Sequence, residues 1–438
     1  MAILRRYLLT ALGVFTLLAA AASSSQAADP QQWAKQHLGE LVELYRHFHA
    51  HPELSFHEKE TAKRLAAELE KADYQVTQDV GGHGLVAILK NGEGPTLMLR
   101  TDLDALPVAE QTNLVYASQV KVANDAGVEV GVMHACGHDI HITNLIGVAR
   151  FMSENKDQWR GTLMLIGQPA EERGAGAKAM LEDGLFERFP KPDFAVALHV
   201  DSGLEAGRVG YRAGYAMANV DSVDITVRGK GGHGAQPHTT VDPIVQAALL
   251  VLALQTIVSR EVKPTEPAVV TVGSIHGGTK HNIIGDSCHL QITVRSYSPE
   301  VRQQLLSAIE RKAKGVAITA GAEEPIVKIS EGTPSLKNDD DLASRLAPVF
   351  VRALGEENVV VSDQTMGGED FSRYGLAGVP ILMYRLGAVD ARRLERYRQL
   401  GQAAPSLHSP VFYPDPDEVL QTGVTTMSAA ALEILAKE

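Results

Sequence analysis

The sequence predicts an α/β protein: a mostly parallel sheet with helices on both faces, interrupted by a smaller ferredoxin-like α+β domain. Three observations carry this. Continuous apolar runs alternate with helical patterns up to about residue 214, strictly alternating strands follow to about residue 330, and the first texture then resumes to the C-terminus. Unbroken apolar strands suit a sheet buried on both faces, whereas alternation marks strands with one buried face.

In chain order, residues 1–27 differ in kind from the rest. Arg5 and Arg6 precede an apolar run from Tyr7 to Ala22, and small residues ending in "SQA" follow. This is the order of a secretory signal cleaved after Ala27. The run of about 16 residues falls short of the roughly 20 that a membrane span needs. "RRYLL" also loosely suggests a twin-arginine signal. Cleavage removes two arginines and takes the formal charge from −12 to −14. An acidic chain without basic clusters excludes nucleic acid as a partner. No second apolar stretch reads as a span, so the expectation is an exported, periplasmic or secreted protein with no stable membrane association after cleavage. The mature chain exceeds the usual single-domain size.

"LVELYRHFHAHPELSFHEKETAKRLAAELEKA" reads as two helices broken around Pro52. Short apolar strands follow at 85–90, 96–100, 162–167 and 194–200, with helical patterns at 140–152 and 176–185. These place a first α/β segment at 28–214. From Tyr215 the order is β-α-β-β-α-β, the split ferredoxin-like unit, over 215–330. Its first helix has Asp242 as N-cap and Pro243 in its first turn. Residues 331–438 complete the α/β domain, ending in a helix capped by "DPDE".

Polar residues collect at strand ends. "TLMLRTDLDALP" ends with Asp102 and Asp104, "TLMLIGQPAEE" with Glu171 and Glu172, and "FAVALHV" with His199; "MHACGHD" stands just before a helix. In open α/β sheets, ligands bind at the carboxyl ends of strands. Each residue alone has an ordinary reading: Asp102 or Asp104 as a turn cap, the glutamates as solvated, His199 as a core histidine, His408 as a loop residue. Their joint occurrence points to a site.

Cys136 is one of two cysteines. It has four readings: a disulfide with Cys288, a nucleophile, a small buried hydrophobe, or a metal ligand. Cys288 lies in the alternating "SCHLQITVRSY" and reads as a buried apolar residue. A nucleophile would need a histidine base, which His134 or His138 could supply, but it gives no reason for Glu171, Glu172 and His199. Thiolate, imidazole and carboxylate together suit zinc or a similar divalent ion, and Gly137 lets the Cys-x-His loop bend.

The motifs together resemble the M20 metallopeptidase and amidohydrolase family, and within it the N-acyl-amino-acid, hippurate-type branch. The matches are "HAHPELSFHE", "RTDLDALPV", "MHACGHD", "GQPAEERGAGAKAML", "ALHV", "GKGGHGAQPH", "HNIIGD", "MGGEDF" and "LHSPVFYPDPDEVL", in order from about residue 47 to 420. The resemblance implies a zinc-peptidase-like catalytic domain and an inserted domain through which the chain forms a homodimer. It implies a two-metal site held by Cys136, His138, Glu172, His199 and His408, with Cys136 as bridge and Glu171 as general base. Zinc is the first expectation; manganese, cobalt and nickel are alternatives. Asp104 is expected to orient a ligand, and His233 to help stabilise the oxyanion from the partner subunit. Asn282, Arg295 and Gly368 are expected to face the substrate, with Asn282 and Arg295 as candidates for its carboxylate. The chain departs from the family pattern at Gly167, at Gly285 and in the Gly367–Gly368 pair, which puts the pocket's shape in question.

The expected reaction is hydrolysis of a small N-acyl amino acid or related amide. Glu171 takes a proton from metal-activated water and returns it to the leaving amine. A metallo-aminopeptidase or carboxypeptidase acting on short peptides is the rival enzyme reading. A catalytically silent dimeric metal-binding protein is the rival of a different class.

Overall fold

A computed structural model describes residues 28–437; the expected signal segment lies outside the described residues. The two N-terminal helices are Pro30–Ala50 and Lys59–Lys71, separated around Pro52. The large sheet runs, edge to edge, Gln75–Gln78, Leu85–Asn91, Gly161–Gln168, Thr96–Asp102, Phe194–Glu205, Ile381–Val389, Val209–Tyr211 and Val359–Val361. Its middle four strands are mutually parallel. Leu85–Asn91 joins them antiparallel, as does Val209–Tyr211 at the other side.

The two faces follow the pleat of the strands. Leu97 and Leu99 join Leu41, Leu145 and Val424 beneath the helices Pro30–Ala50, His138–Glu154 and Pro416–Ile434. Met98, between them, faces the opposite layer with Met164, Met180 and Tyr374. Burial on both sides is the physical source of the unbroken apolar runs.

The inserted sheet has the order Ala268–Gly277, Ser287–Ser296, Asn219–Arg228 and Ile326–Glu331, all antiparallel. The helices Pro243–Arg260 and Pro299–Ala320 pack on one face over Ile225, Leu250, Leu290 and Leu305. Asp242 accepts from the amides of Ile244 and Val245, and Ser298 from that of Val301, caps worth about 1 kcal/mol each. The expected Asp415 cap is not made. Its carboxylate instead takes the Asp390 amide at 2.6 Å and Arg393 at 2.7 Å, tying the last helix to the preceding loop.

One expectation needs correction. The helix Pro243–Arg260 is long and apolar enough to pass for a membrane span, with a mean hydropathy of 1.5. It is a core helix of the inserted domain, burying Ala247, Leu250, Leu254 and Ile257 while leaving Val245, Leu249 and Leu252 exposed. Both cysteines are free: Cys288 lies in the inserted core and Cys136 in the α/β domain, so the disulfide reading falls.

Candidate metal centre

The carboxyl ends of the parallel strands deliver the acidic and imidazole groups to one place. Thr96–Asp102 ends at Asp102, Gly161–Gln168 runs into Glu171 and Glu172, and His199 lies midway along Phe194–Glu205. His138 opens the helix His138–Glu154, immediately after Gly137 at φ 78°. A Cβ at Gly137 would lie 2.6 Å from Val200 Cγ2, so both conformation and space require glycine there. Ala170 (φ 50°) and His408 (φ 69°) hold left-handed backbone without being glycine. Such residues cost on the order of 1 to 3 kcal/mol each and persist where surrounding structure fixes them. Here the Ala170 amide donates to Glu58 at 2.7 Å, and the His408 amide to the carbonyl of Ala135 at 2.9 Å.

Cys136 belongs to two groups of three donors, each group lying within 4.8 Å: Cys136, His138 and His199, and Cys136, Glu172 and His408. Cys136 Sγ stands 3.6 Å from His199 Nε2, and His408 Nε2 stands 3.5 Å from Glu172 Oε1. Two donors on one tetrahedral zinc, with bonds of about 2.3 Å to sulfur and 2.05 Å to nitrogen, would be about 3.6 Å apart. Both inner histidines are set as acceptors toward this point. His138 Nδ1 donates to the Asp104 carbonyl at 2.8 Å and His199 Nδ1 to the Val200 carbonyl at 2.8 Å, leaving each Nε2 lone pair for the site. His138 Nε2 and Glu172 Oε1 are buried without a hydrogen-bond partner. Orphaned buried acceptors, a thiol and a carboxylate facing one another are what a divalent cation satisfies, so the residues fit the group.

The titration pattern has the same origin. Burial lifts the Cys136 thiol well above its usual range, and Glu172 and Glu171 add to this. Burial, then Glu369, Glu172 and Asp370, lift Glu171 well above the carboxylate range. Glu172 is pushed up to about 7, by burial against the opposing charge of His138 and with Asp104 adding. Burial alone would lower His138, but Asp102, Asp104 and Glu172 outweigh it and raise it to about 10. Negative charge is crowded beyond what the protein's own cations neutralise at this point.

Asp104 acts through position. Its Oδ2 accepts from Ser55 Oγ at 2.6 Å and from the Glu172 amide at 3.0 Å, while its carbonyl holds His138. Sequence reasoning missed the layer behind it. Asp102 Oδ1 accepts from His141 Nδ1 at 2.7 Å, and His141 Nε2 accepts from the Val200 amide at 3.0 Å. Arg100, fully buried, joins Asp102, Glu369, Asp370 and Gln168, and thus stands behind Glu171. His49 bridges Asp139 and Glu110 at 2.7 and 3.0 Å.

A cavity of about 640 Å³ opens over Cys136, Glu171, Glu172, His199 and His408. Arg295 and Gly368 line it, as does Thr333, whose hydroxyl is buried without a partner. A Cβ at Gly368 would meet Thr333 Oγ1 at 2.4 Å, which explains a glycine at that wall. His233 and Asn282 do not line the cavity of their own chain. They are exposed on the short ribbon Gly232–His233 with Ile283–Ile284.

Residues 98–431 match the model of peptidase family M20/M25/M40. The chain belongs to the M20 family. It is 38% identical over 336 residues to the N-acetyl-L-cysteine deacetylase of Bacillus subtilis, covering 76% of this chain and 77% of that protein. It is also 38% identical over 337 residues to the hippurate hydrolase of Campylobacter jejuni, covering 76% of this chain and 84% of that one. Among solved structures it resembles the YXEP protein of Bacillus subtilis, described as a dinuclear metal binding peptidase from the M20 family, with a TM-score of 0.75, 30% identity and 92% and 99% coverage. As an M20 member the chain is a metal-dependent hydrolase of amide or peptide bonds.

Proposed function

We propose that the protein is an exported amidohydrolase that cleaves N-acyl amino acids, using two divalent ions, zinc in the first instance, held by Cys136, His138, Glu172, His199 and His408. The observation that carries this is Cys136 shared by two donor triads beside Glu171, in a cavity that also presents Arg295. The deacetylase and hippurate hydrolase relatives support the substrate class. The N-terminal signal pattern supports export.

Bound divalent ions would supply Lewis acidity and a lowered water pKa. The protein's own residues do the rest. Glu171, buried at the cavity floor, takes a proton from the attacking water and delivers it to the leaving nitrogen, which a carboxylate of raised pKa does well near neutrality. The carbonyls of Asp104 and Val200 fix the rings of His138 and His199, so these inner donors need little reorganisation. Arg295 receives the α-carboxylate.

Dimerisation through the inserted domain is part of the same proposal. Val245, Leu249 and Leu252 form an exposed apolar stripe at i, i+4 and i+7, and Ala268–Gly277 is an open sheet edge. Their burial between two copies would let His233 and Asn282 serve the partner's cavity, His233 at the oxyanion and Asn282 at the carboxylate. The test is a panel of N-acetyl, N-benzoyl and dipeptide substrates run with metal-loaded and metal-free protein. Metal-dependent release of free amino acid from the acyl substrates is expected. Activity confined to dipeptides would favour the peptidase reading, and none at all a silent binder.

A further inference from the structure

The cavity holds a second guanidinium for which the mechanism has no use. Arg385 lies on Ile381–Val389, in register with His199 of the adjacent parallel strand, and lines the cavity with Cys136, His199 and Leu407. Among the described residues its guanidinium makes neither an ion pair nor a side-chain hydrogen bond. Of the other described arginines that are buried or line the cavity, Arg295 likewise lacks an ion pair but donates to Thr293 Oγ1 and the Met366 carbonyl, and the remaining two are paired with carboxylates. Arg100 has three carboxylates, and Arg173 pairs with Asp125 at 2.6 Å. Asp201, which also lines the cavity, accepts from the Gly203 amide at 2.8 Å and makes no ion pair with Arg385.

A partly buried cation without a counter-charge is costly, and a divalent ion, if held by the adjacent His199, would make it more so. In a chain of net charge −12, carboxylates are not scarce. The missing counter-charge therefore belongs to the ligand. Arg295 comes from the inserted sheet and Arg385 from the catalytic sheet, beside the groups that meet the scissile carbonyl. We propose that Arg385 binds a carboxylate at the far end of the acyl group, so that the preferred substrates are half-amides of dicarboxylic acids with amino acids. This rests on the N-acyl amino acid reading and narrows it. A free α-amino group, as an aminopeptidase substrate carries, would be repelled by the same arginine.

The test separates binding from turnover. Metal-loaded Glu171→Gln protein is titrated calorimetrically with N-succinyl-L-alanine and with its neutral analogue, N-succinamoyl-L-alanine, alike in shape and in α-carboxylate. The dianion is expected to bind roughly 10-fold or more tightly, a preference that Arg385→Met brings to about 2-fold or less and Arg385→Lys partly keeps. Arg295→Met should weaken both ligands alike. Equal affinities with Arg385 present, binding of neither ligand, or a preference that survives Arg385→Met would overturn the proposal. Turnover by the unsubstituted protein reports separately. If the Arg385-dependent preference is found but neither compound is hydrolysed, the amidohydrolase reading falls and takes the substrate preference with it, while carboxylate binding by Arg385 stands.

Discussion

Replacing Arg295 by alanine should separate substrates by charge. The guanidinium has five N–H bonds. Nε donates to Thr293 Oγ1 at 3.0 Å and Nη1 to the Met366 carbonyl at 3.1 Å, which leaves three for a ligand in the cavity. Partial burial pushes the pKa of Arg295 down, so the group is already partly stripped of water and gains more from an anion than an exposed arginine would. Losing such a pair while the substrate's carboxylate remains desolvated costs on the order of 2 to 4 kcal/mol, a fall of roughly 30-fold to 1,000-fold in kcat/KM. The assay compares an N-acyl amino acid with its carboxamide in wild type and Arg295→Ala, with circular dichroism to check the fold. The carboxamide should change little. Equal losses on both substrates would refute the argument and make Arg295 a strut between the inserted strand and the Met366 loop.

Glu171→Gln should keep metal and fold but lose roughly 100-fold to 10,000-fold in kcat, because an amide cannot carry the proton; near-normal turnover would move the base elsewhere. Cys136→Ser should lose metal, measured by mass spectrometry, together with activity, and exhaustive chelation of wild type should do the same; a fully active metal-free protein would sink the two-ion reading. Mixing inactive Glu171→Gln with inactive His233→Ala should restore activity through hybrid dimers, whereas a fully active monomer by sedimentation would exclude the cross-subunit role. His49 should make stability depend on pH. Burial opposes its charge, but Asp139 and Glu110 raise its pKa from 6.5 to about 9, so its contribution is complete below about 6.5 and lost as pH rises through about 9. Denaturant midpoints should fall across that window in wild type, and His49→Gln should flatten the fall.

The elements were legible because their signals are local. Asp242 and Ser298 announce their helices within three residues, and the alternation of "SCHLQITVRS" puts Leu290 inside and Arg295 on the other face in both the sequence and the structure. Glu171 and Glu172 stood out because strand ends mark the ligand edge of an open sheet, His199 because it was read as such an end although the strand runs on to Glu205, and Cys136 because it stands among histidines just before a helix. The supporting layer was not legible. Arg100 meets Glu369 across 269 positions, and no local pattern tells a buried arginine with three carboxylates from one at the end of a strand. "VPILMYRLG" shows a strand but not what faces Arg385, since that depends on which strand becomes its neighbour. His233 and Asn282 could be assigned only by resemblance, because they do not line the cavity of the chain that carries them.

The donors come from both sides of the insertion: four precede it, and His408 follows it. The first helix packs on the last, with Leu41 and Val424 in one core cluster roughly 380 residues apart, a closure costing about 5 kcal/mol in chain entropy on the logarithmic scale. During synthesis, then, the triad of Cys136, His138 and His199 is encoded long before its companion can exist. On the two-ion reading, the site acquires its second set of donors only once His408 has left the ribosome and the helix Pro416–Ile434 meets Pro30–Ala50. A product truncated before His408 would retain four of the five candidate donors and Glu171 but lack the second complete triad, so on the two-ion reading the site is complete only in chains that extend past His408.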